Sequence, residues 1–187
     1  MAHGHRIFPW WAGYLLAHPI RKLVQNPEQI VGPYVKPGMT VLEIGPGMGF
    51  FSIPMARLVG ENGRVVAVDI QEKMLRALER RATKSGVRER IGTRLCDTGS
   101  FGISDLAGQV DFALLFAVVH EVPDPERLWR EVAGTLKKGA LVLFSEPKRP
   151  VSEEEFRKSV DQSELSGLRI VRYPRIWKSR SVLLQMI

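Results

Sequence analysis

The stretch Val41–Phe51, VLEIGPGMGFF, sets three glycines within five residues, Gly45, Gly47 and Gly49, directly after an apolar run. A β-branched and apolar segment that ends in glycines and leads into FFSIPMARLVG reads as a strand, a tight turn and a helix. Glycine lets the backbone take positive φ and lets another group approach the main chain, while a new helix offers unpaired N–H groups to anything anionic. The turn therefore reads as the floor of a site for a nucleotide-type ligand. The alternative is a tight turn whose glycines serve packing alone.

Outward from this stretch the pattern repeats. RVVAVDI is a second buried strand, continuously apolar and not alternating. QEKMLRALERRATKSG follows as a helix with Met74, Leu75, Leu78 and Ala82 at helical spacing. RIGTRLCD, QVDFALLFAVV and ALVLFSEP supply third, fourth and fifth strands. The spacing predicts a helix over DPERLWREVAGTLKKG, begun by an Asp cap and a proline and ended by Lys137, Lys138 and Gly139. SEEEFRKSVDQSELSG is another helix, capped by Ser152. LRIVRYP and SVLLQMI follow without an intervening helix, so the last pair is expected to be antiparallel. The whole implies an α/β fold with a mostly parallel sheet covered on both faces.

Composition bounds the function. With 187 residues and 44% hydrophobic content the chain suits one domain. Cys96 is the single cysteine, which excludes a disulfide framework and any multi-cysteine metal site and suits a reducing cytoplasm. A net charge of +7 favours polyanionic partners only weakly. The segment RIFPWWAGYLLAHPIRK is apolar, but Pro9, His18 and Pro19 interrupt it and it falls short of a membrane span. It also lacks the marks of a signal peptide. Residues 1–25 are read as a lid carrying Trp10, Trp11 and Tyr14, and residues 26–187 as the domain. His3 and His5 could chelate a metal, but the reading preferred is a disordered terminus, and no metal is expected.

Spacing argues against a dinucleotide. In G-x-G-x-x-G the third glycine would stand where Phe50 does. LEIGPGMG instead resembles the first motif of class I S-adenosylmethionine (SAM) methyltransferases, an acidic residue followed by G-x-G-x-G. YVKPGMTVLEIGPGMGFFSIPMA, GRVVAVDI, VVHEVPDPERLWREV and LKKGALVLFSEP look most like the subgroup that includes ubiquinone and menaquinone biosynthesis methyltransferases, over about Asn26 to Ile187. The resemblance implies a Rossmann-like, seven-stranded sheet with a reversed last strand, SAM as cofactor and S-adenosylhomocysteine as product.

It also implies a pocket. Glu43 and the backbone of Gly45, Pro46, Gly47, Gly49 and Phe50 would hold the methionine end, whose ammonium suits a carboxylate. Asp69, about 20 residues beyond the turn, would accept from the ribose hydroxyls as acidic residues do in dinucleotide folds, or it caps the next helix. Ile70 would pack on adenine. Asp97 would accept from its amino group, or forms a turn before Thr98 and Gly99. Cys96 fills space beside the pocket, and the backbone of Phe116 and Ala117 would close over the sulfonium. Asp111 lies at the far end of the fourth strand, where structural hydrogen bonding is expected.

Methyl transfer is an in-line displacement that relies on positioning, worth ~7–11 kcal/mol, and needs a base only when the acceptor carries a proton. His120 is placed for that role after the fourth strand and titrates near neutrality; it also suits a structural place above the sheet. Glu121 is a second candidate. The expected reaction is SAM-dependent methylation of a small molecule at O, C or N. Two other readings stand beside it. One is a nucleic-acid-directed enzyme using the basic, aromatic stretch LRIVRYPRIWKSR; the other is a non-catalytic SAM-binding module.

Overall fold

The computed structural model describes residues 25–187, so all but the last residue of the expected lid, with Trp10, Trp11, Tyr14, His3 and His5, lies outside the described residues. Seven strands form one sheet: β1 Thr40–Ile44, β2 Arg64–Asp69, β3 Ile91–Leu95, β4 Val110–Phe116, β5 Leu136–Pro147, β6 Leu168–Arg172 and β7 Ser179–Met186. Their order is β3-β2-β1-β4-β5-β7-β6. Only β7 is reversed, pairing antiparallel with both β5 and β6. Among the described residues the expected seven strands, mostly parallel with the last reversed, are the ones observed.

The continuous apolar runs have a simple cause, because the strands inside the sheet are buried on both faces, while the edge strands β3 and β6 are largely exposed. On one face Leu42, Ile44, Val66, Val68, Leu115, Val142 and Phe144 form a cluster with Leu128, Trp129 and Val132 of α4 (Pro125–Thr135) and Phe156 and Val160 of α5 (Glu153–Leu165). Trp129 meets Phe144 edge-on at 5.2 Å, a geometry worth ~0.5–1.5 kcal/mol beyond area burial. On the other face Val41, Val65, Ala67, Phe112, Leu114 and Leu143 pack against α1 (Pro27–Val31), α2 (Ser52–Val59) and α3 (Glu72–Lys84), chiefly through Val31, Met55, Val59, Leu78 and Ala82. Odd and even positions of β1 divide cleanly between the two clusters.

Caps stand where the residue types require them. Asp124 accepts from Arg127 N at the start of α4, and Ser152 and Glu155 form a reciprocal capping box at the start of α5. One boundary differs from expectation. α4 ends at Thr135, and Lys137, Lys138 and Gly139 belong to β5, not to a helix terminus. The parallel pairing of Leu136 with Val110, and hydrogen bonds from Gly108 N and Gln109 N to the carbonyls of Gly134 and Thr135, draw this segment into the sheet. Lys137 then pairs with Asp111 at 2.5 Å. Among the described residues no helix is long and apolar enough to cross a membrane.

Candidate active site

All parallel strands point their carboxyl ends the same way, and open α/β sheets bind their ligands in a crevice beyond those ends, which here means over β2, β1 and β4. The glycine turn lies at its centre. Gly45 and Gly49 answer to packing: a Cβ on Gly45 would fall 2.6 Å from Val118 Cγ2, and one on Gly49 2.3 Å from Leu78 Cδ1. Gly47 differs. Its φ is +53° and a Cβ there would meet nothing within 4 Å, so it alone of the three faces open space. The main chain is thus exposed to a ligand at Gly47 and covered by protein on either side.

Beneath the turn, Glu43 is 3% exposed and accepts from Ser52 Oγ, the first residue of α2, at 2.5 Å. Burial raises the Glu43 carboxyl to about 8; the Ser52 bond works against the shift and the charge of Asp69 adds to it. At the end of β2, Asp69 accepts from Gln71 N at 2.8 Å, and main-chain N–H groups of Gly47 and Ile70 also favour its ionised form. Burial nevertheless lifts it to about 6. The contact with Gly47 ties the second strand to the turn. Asp69 also bonds the backbone ahead of α3, as the capping alternative required, though Gln71 holds the cap position itself. A carboxylate has about four acceptor sites, so these bonds and a ligand are compatible.

Ile70 is 38% exposed beside Asp69, an apolar surface at the rim. Phe50 is buried and edge-on to Phe51, so its contribution to the crevice is limited to main chain. Pro46 accepts from Gly49 N and closes the turn. Cys96 packs against the core, its N–H bonded to the Asp69 carbonyl, and burial pushes its thiol up to about 11, which suits filler and not a nucleophile. Asp97 Oδ1 accepts from Gly99 N and Ser100 N, so this side chain organises its own turn. At the end of β4, Phe116 packs on Phe51 with centroids 4.6 Å apart, and Ala117 takes φ +57°, a value unusual for a residue with a Cβ. Ala117 N donates to the Ser145 carbonyl at 2.8 Å. Asp111, at the opposite end, accepts from Thr40 N and Lys137 Nζ, as expected of a structural acid.

The turn at Ala117 delivers His120 on a short 3₁₀ segment, Val119–Glu121. Its ring is 25% exposed, and Nδ1 lies 2.7 Å from Glu146 Oε2. Glu121 Oε1 stands 3.9 Å from Nε2. Burial opposes a charged imidazole, but the Glu146 hydrogen bond and the charges of Glu146, Glu121 and Glu155 outweigh it, and the pKa rises from 6.5. Two members of the site had escaped sequence reasoning, Ser52 and Glu146. Glu146 carried a readable signal, since an acid closing an apolar strand is the feature that had singled out Asp69.

Part of the basic stretch near the C-terminus is engaged within the protein. Arg169 is bonded to Gln185, Arg172 to Tyr34 Oη, and Arg180 to the carbonyls of Lys148 and Val151. Lys178 Nζ sits 4.2 Å from the centre of the Trp177 ring. A groove of about 1120 Å³ opens here, between α5 and the β6–β7 connection, away from the glycine turn.

Comparison with known proteins bears on the fold and the family. Residues 35–179 match a family described as a methyltransferase domain. The chain is 28% identical over 130 residues to a demethylmenaquinone methyltransferase of Desulfitobacterium hafniense, covering 70% of this chain and 48% of the relative. It is 34% identical over 108 residues to a ubiquinone biosynthesis O-methyltransferase of Caulobacter vibrioides, covering 58% of this chain and 40% of that one. The chain thus spans about half or less of the length of these curated relatives. A SAM-dependent methyltransferase structure from Aquifex aeolicus shares the fold with a TM-score of 0.85 at 24% identity, over 97% of this chain and 100% of that one. The chain belongs to this methyltransferase-domain family, with the fold of the class I SAM-dependent methyltransferases and S-adenosylmethionine as its cofactor, and quinone-biosynthesis methyltransferases are among the proteins it is similar to.

Proposed function

We propose that this enzyme transfers the SAM methyl group to a small-molecule acceptor by in-line displacement, with His120 as general base. The observation that carries the proposal is the contact of Val118 with Gly45. Two residues before His120, the β4 loop packs so tightly on the glycine turn that a single added Cβ would collide with it. On this reading the imidazole, two residues on, faces the side on which Gly47, Asp69 and Glu43 would hold the cofactor.

When bound, SAM supplies an electrophilic methyl group whose sulfonium loses its charge on transfer. The protein's part is orientation. Asp69 would accept from the ribose hydroxyls, Ile70 would support the adenine, and Glu43, ionised by the approach of the ligand's ammonium, would hold the methionine end. The main chain at Phe116 and Ala117 would close the side toward the acceptor. Residues 1–25 are proposed to cover the acceptor, excluding water from the reacting atoms. The names of the two quinone-biosynthesis relatives support a small molecule. The dispersal of Arg169, Arg172 and Arg180 into internal hydrogen bonds weighs against a nucleic-acid track.

The test is transfer from methyl-labelled SAM to fractionated cell extract. Label in the small-molecule fraction is expected; label confined to RNA or protein would overturn the reading. Deleting the residues before His18 is expected to reduce acceptor turnover more than SAM affinity.

A further inference from the structure

Glu146 ends an apolar strand as a carboxylate 2% exposed. Burying such a group is costly unless it is paired and hydrogen-bonded. Arg180, its register partner on β7, donates instead to the carbonyls of Lys148 and Val151. Both oxygens of Glu146 are directed at one residue. Oε1 accepts from His120 N at 3.1 Å, and Oε2 lies 2.7 Å from His120 Nδ1.

We propose that Glu146 is a positioning residue that holds His120 in the tautomer protonated at Nδ1, leaving the Nε2 lone pair for the acceptor, and that the acceptor is a hydroxyl compound. The inference rests on the reading of His120 as the base. Two hydrogen bonds to the main chain and ring of the same residue fix both the position of the 3₁₀ segment and the rotation of the imidazole. Oε1 already accepts from the His120 main-chain N–H, and the same carboxyl group paired with Nδ1 accepts the ring proton when the imidazole carries it there.

The electrostatics of the site suit a proton taken from oxygen. The groups around the ring are Glu146 from β5, Glu121 from its own segment and Glu155 from the first turn of α5, all carboxylates, and together they favour the imidazolium. As the acceptor oxygen is methylated, an O–CH3 bond forms and the S–CH3 bond breaks with its electron pair left on sulfur. The hydroxyl proton passes to Nε2, where Glu146 stabilises the cation, and leaves to water after product release. A neutral amine acceptor would not call for such a device before transfer, whereas a phenol-type hydroxyl, with an ordinary pKa of about 10, would.

The experiment is nitrogen-detected NMR of the His120 ring in the ligand-free protein, above the pKa of the ring, in the wild type, Glu146→Gln and Glu146→Asp. The wild type is expected to show a protonated Nδ1. In Glu146→Gln the amide oxygen can keep the His120 main-chain N–H and the amide nitrogen then faces Nδ1 as a donor, so the ring proton should move to Nε2 and the pKa should fall. Glu146→Asp should retain the wild-type tautomer. Should Glu146→Gln fail to fold, the wild type and the aspartate variant still decide the matter. A wild-type ring protonated at Nε2, or no change of tautomer in a folded glutamine variant, would overturn the inference. With a hydroxyl acceptor in hand, Glu146→Gln should lower turnover by roughly 10²–10⁴-fold, with SAM affinity unchanged. If the tautomers behave as expected but His120→Ala turns over at the wild-type rate, it is the reading of His120 as base that fails, and the positioning role with it.

Discussion

Ser52 Oγ donates to Glu43 Oε2 at 2.5 Å in a region closed to solvent, so the first helix after the glycine turn is fastened to the strand before it by a carboxyl that stays protonated at neutral pH in the free protein. That protonation has a calculable consequence. Glu43 titrates near 8 in the folded chain against 4.5 for the ordinary carboxyl. Below pH 4.5 both folded and unfolded forms hold the proton and nothing is lost. Between 4.5 and 8 only the unfolded form releases it, so stability drains away as pH rises, by on the order of 3 kcal/mol at pH 7.

Glu43→Gln removes this titration while keeping shape and an acceptor for Ser52. Its melting temperature relative to the wild type should climb steadily from pH 4.5 to pH 8, while SAM affinity at pH 7 should fall. A difference in melting temperature independent of pH would contradict the protonated state assigned to Glu43.

Asp69 accepts from main-chain N–H groups on two sides of the crevice and is expected to add the ribose hydroxyls to them. Asp69→Ala should weaken SAM binding by ~1.5–3 kcal/mol, the range of hydrogen bonds to a charged group. Titration calorimetry reads this directly, and an unchanged affinity would place the ribose elsewhere.

Gly47 and Gly45 should separate by phenotype. Gly47→Val places its side chain in open space and should fold with a penalty of about 1–2 kcal/mol for the positive φ, yet fail to bind SAM. Gly45→Ala bears a similar strain and in addition drives a methyl into Val118, Cβ included at 2.9 Å, so it should melt lower. Equal melting temperatures would show that Val118 yields without cost.

Asp111 holds Thr40 N and Lys137 Nζ at the amino end of the sheet, remote from the crevice. Asp111→Ala should destabilise the fold by ~1–3 kcal/mol by leaving the Thr40 N–H unpaired, and leave SAM affinity unchanged. Denaturant unfolding and calorimetry on the same variant check both halves.

The fold was legible because the interior strands, β1, β2 and β4 above all, are buried on both faces and so announce themselves as apolar runs bounded by glycine or a cap. The cofactor crevice was legible for a related reason: Glu43, Gly47 and Asp69 lie within one strand-turn-helix-strand unit, where local spacing carries the geometry. The start of β5 was not. Basic residues before a glycine usually mark a helix end, but the pairing of Leu136 with Val110 overrides that preference, and register between distant strands is invisible in local composition. The same holds for Glu146 and His120, 26 residues apart in sequence and joined only because β4 and β5 run parallel with Phe116 opposite Ser145. Asp97 shows the converse limit. An acid after a strand announces a ligand and a turn equally well, and its hydrogen bonds to Gly99 and Ser100 engage it in the turn.

The central claim is that the crevice beside Gly47 holds the cofactor with its methyl-bearing end toward His120, and a crystal structure with S-adenosylhomocysteine tests it most directly. The account predicts ribose hydroxyls within hydrogen-bond distance of Asp69, adenine against Ile70, the main chain of Gly47 in contact with the ligand, and the sulfur on the His120 side. A ligand found in the groove beside Trp177, or one seated in the crevice with its sulfur turned away from His120, would contradict it.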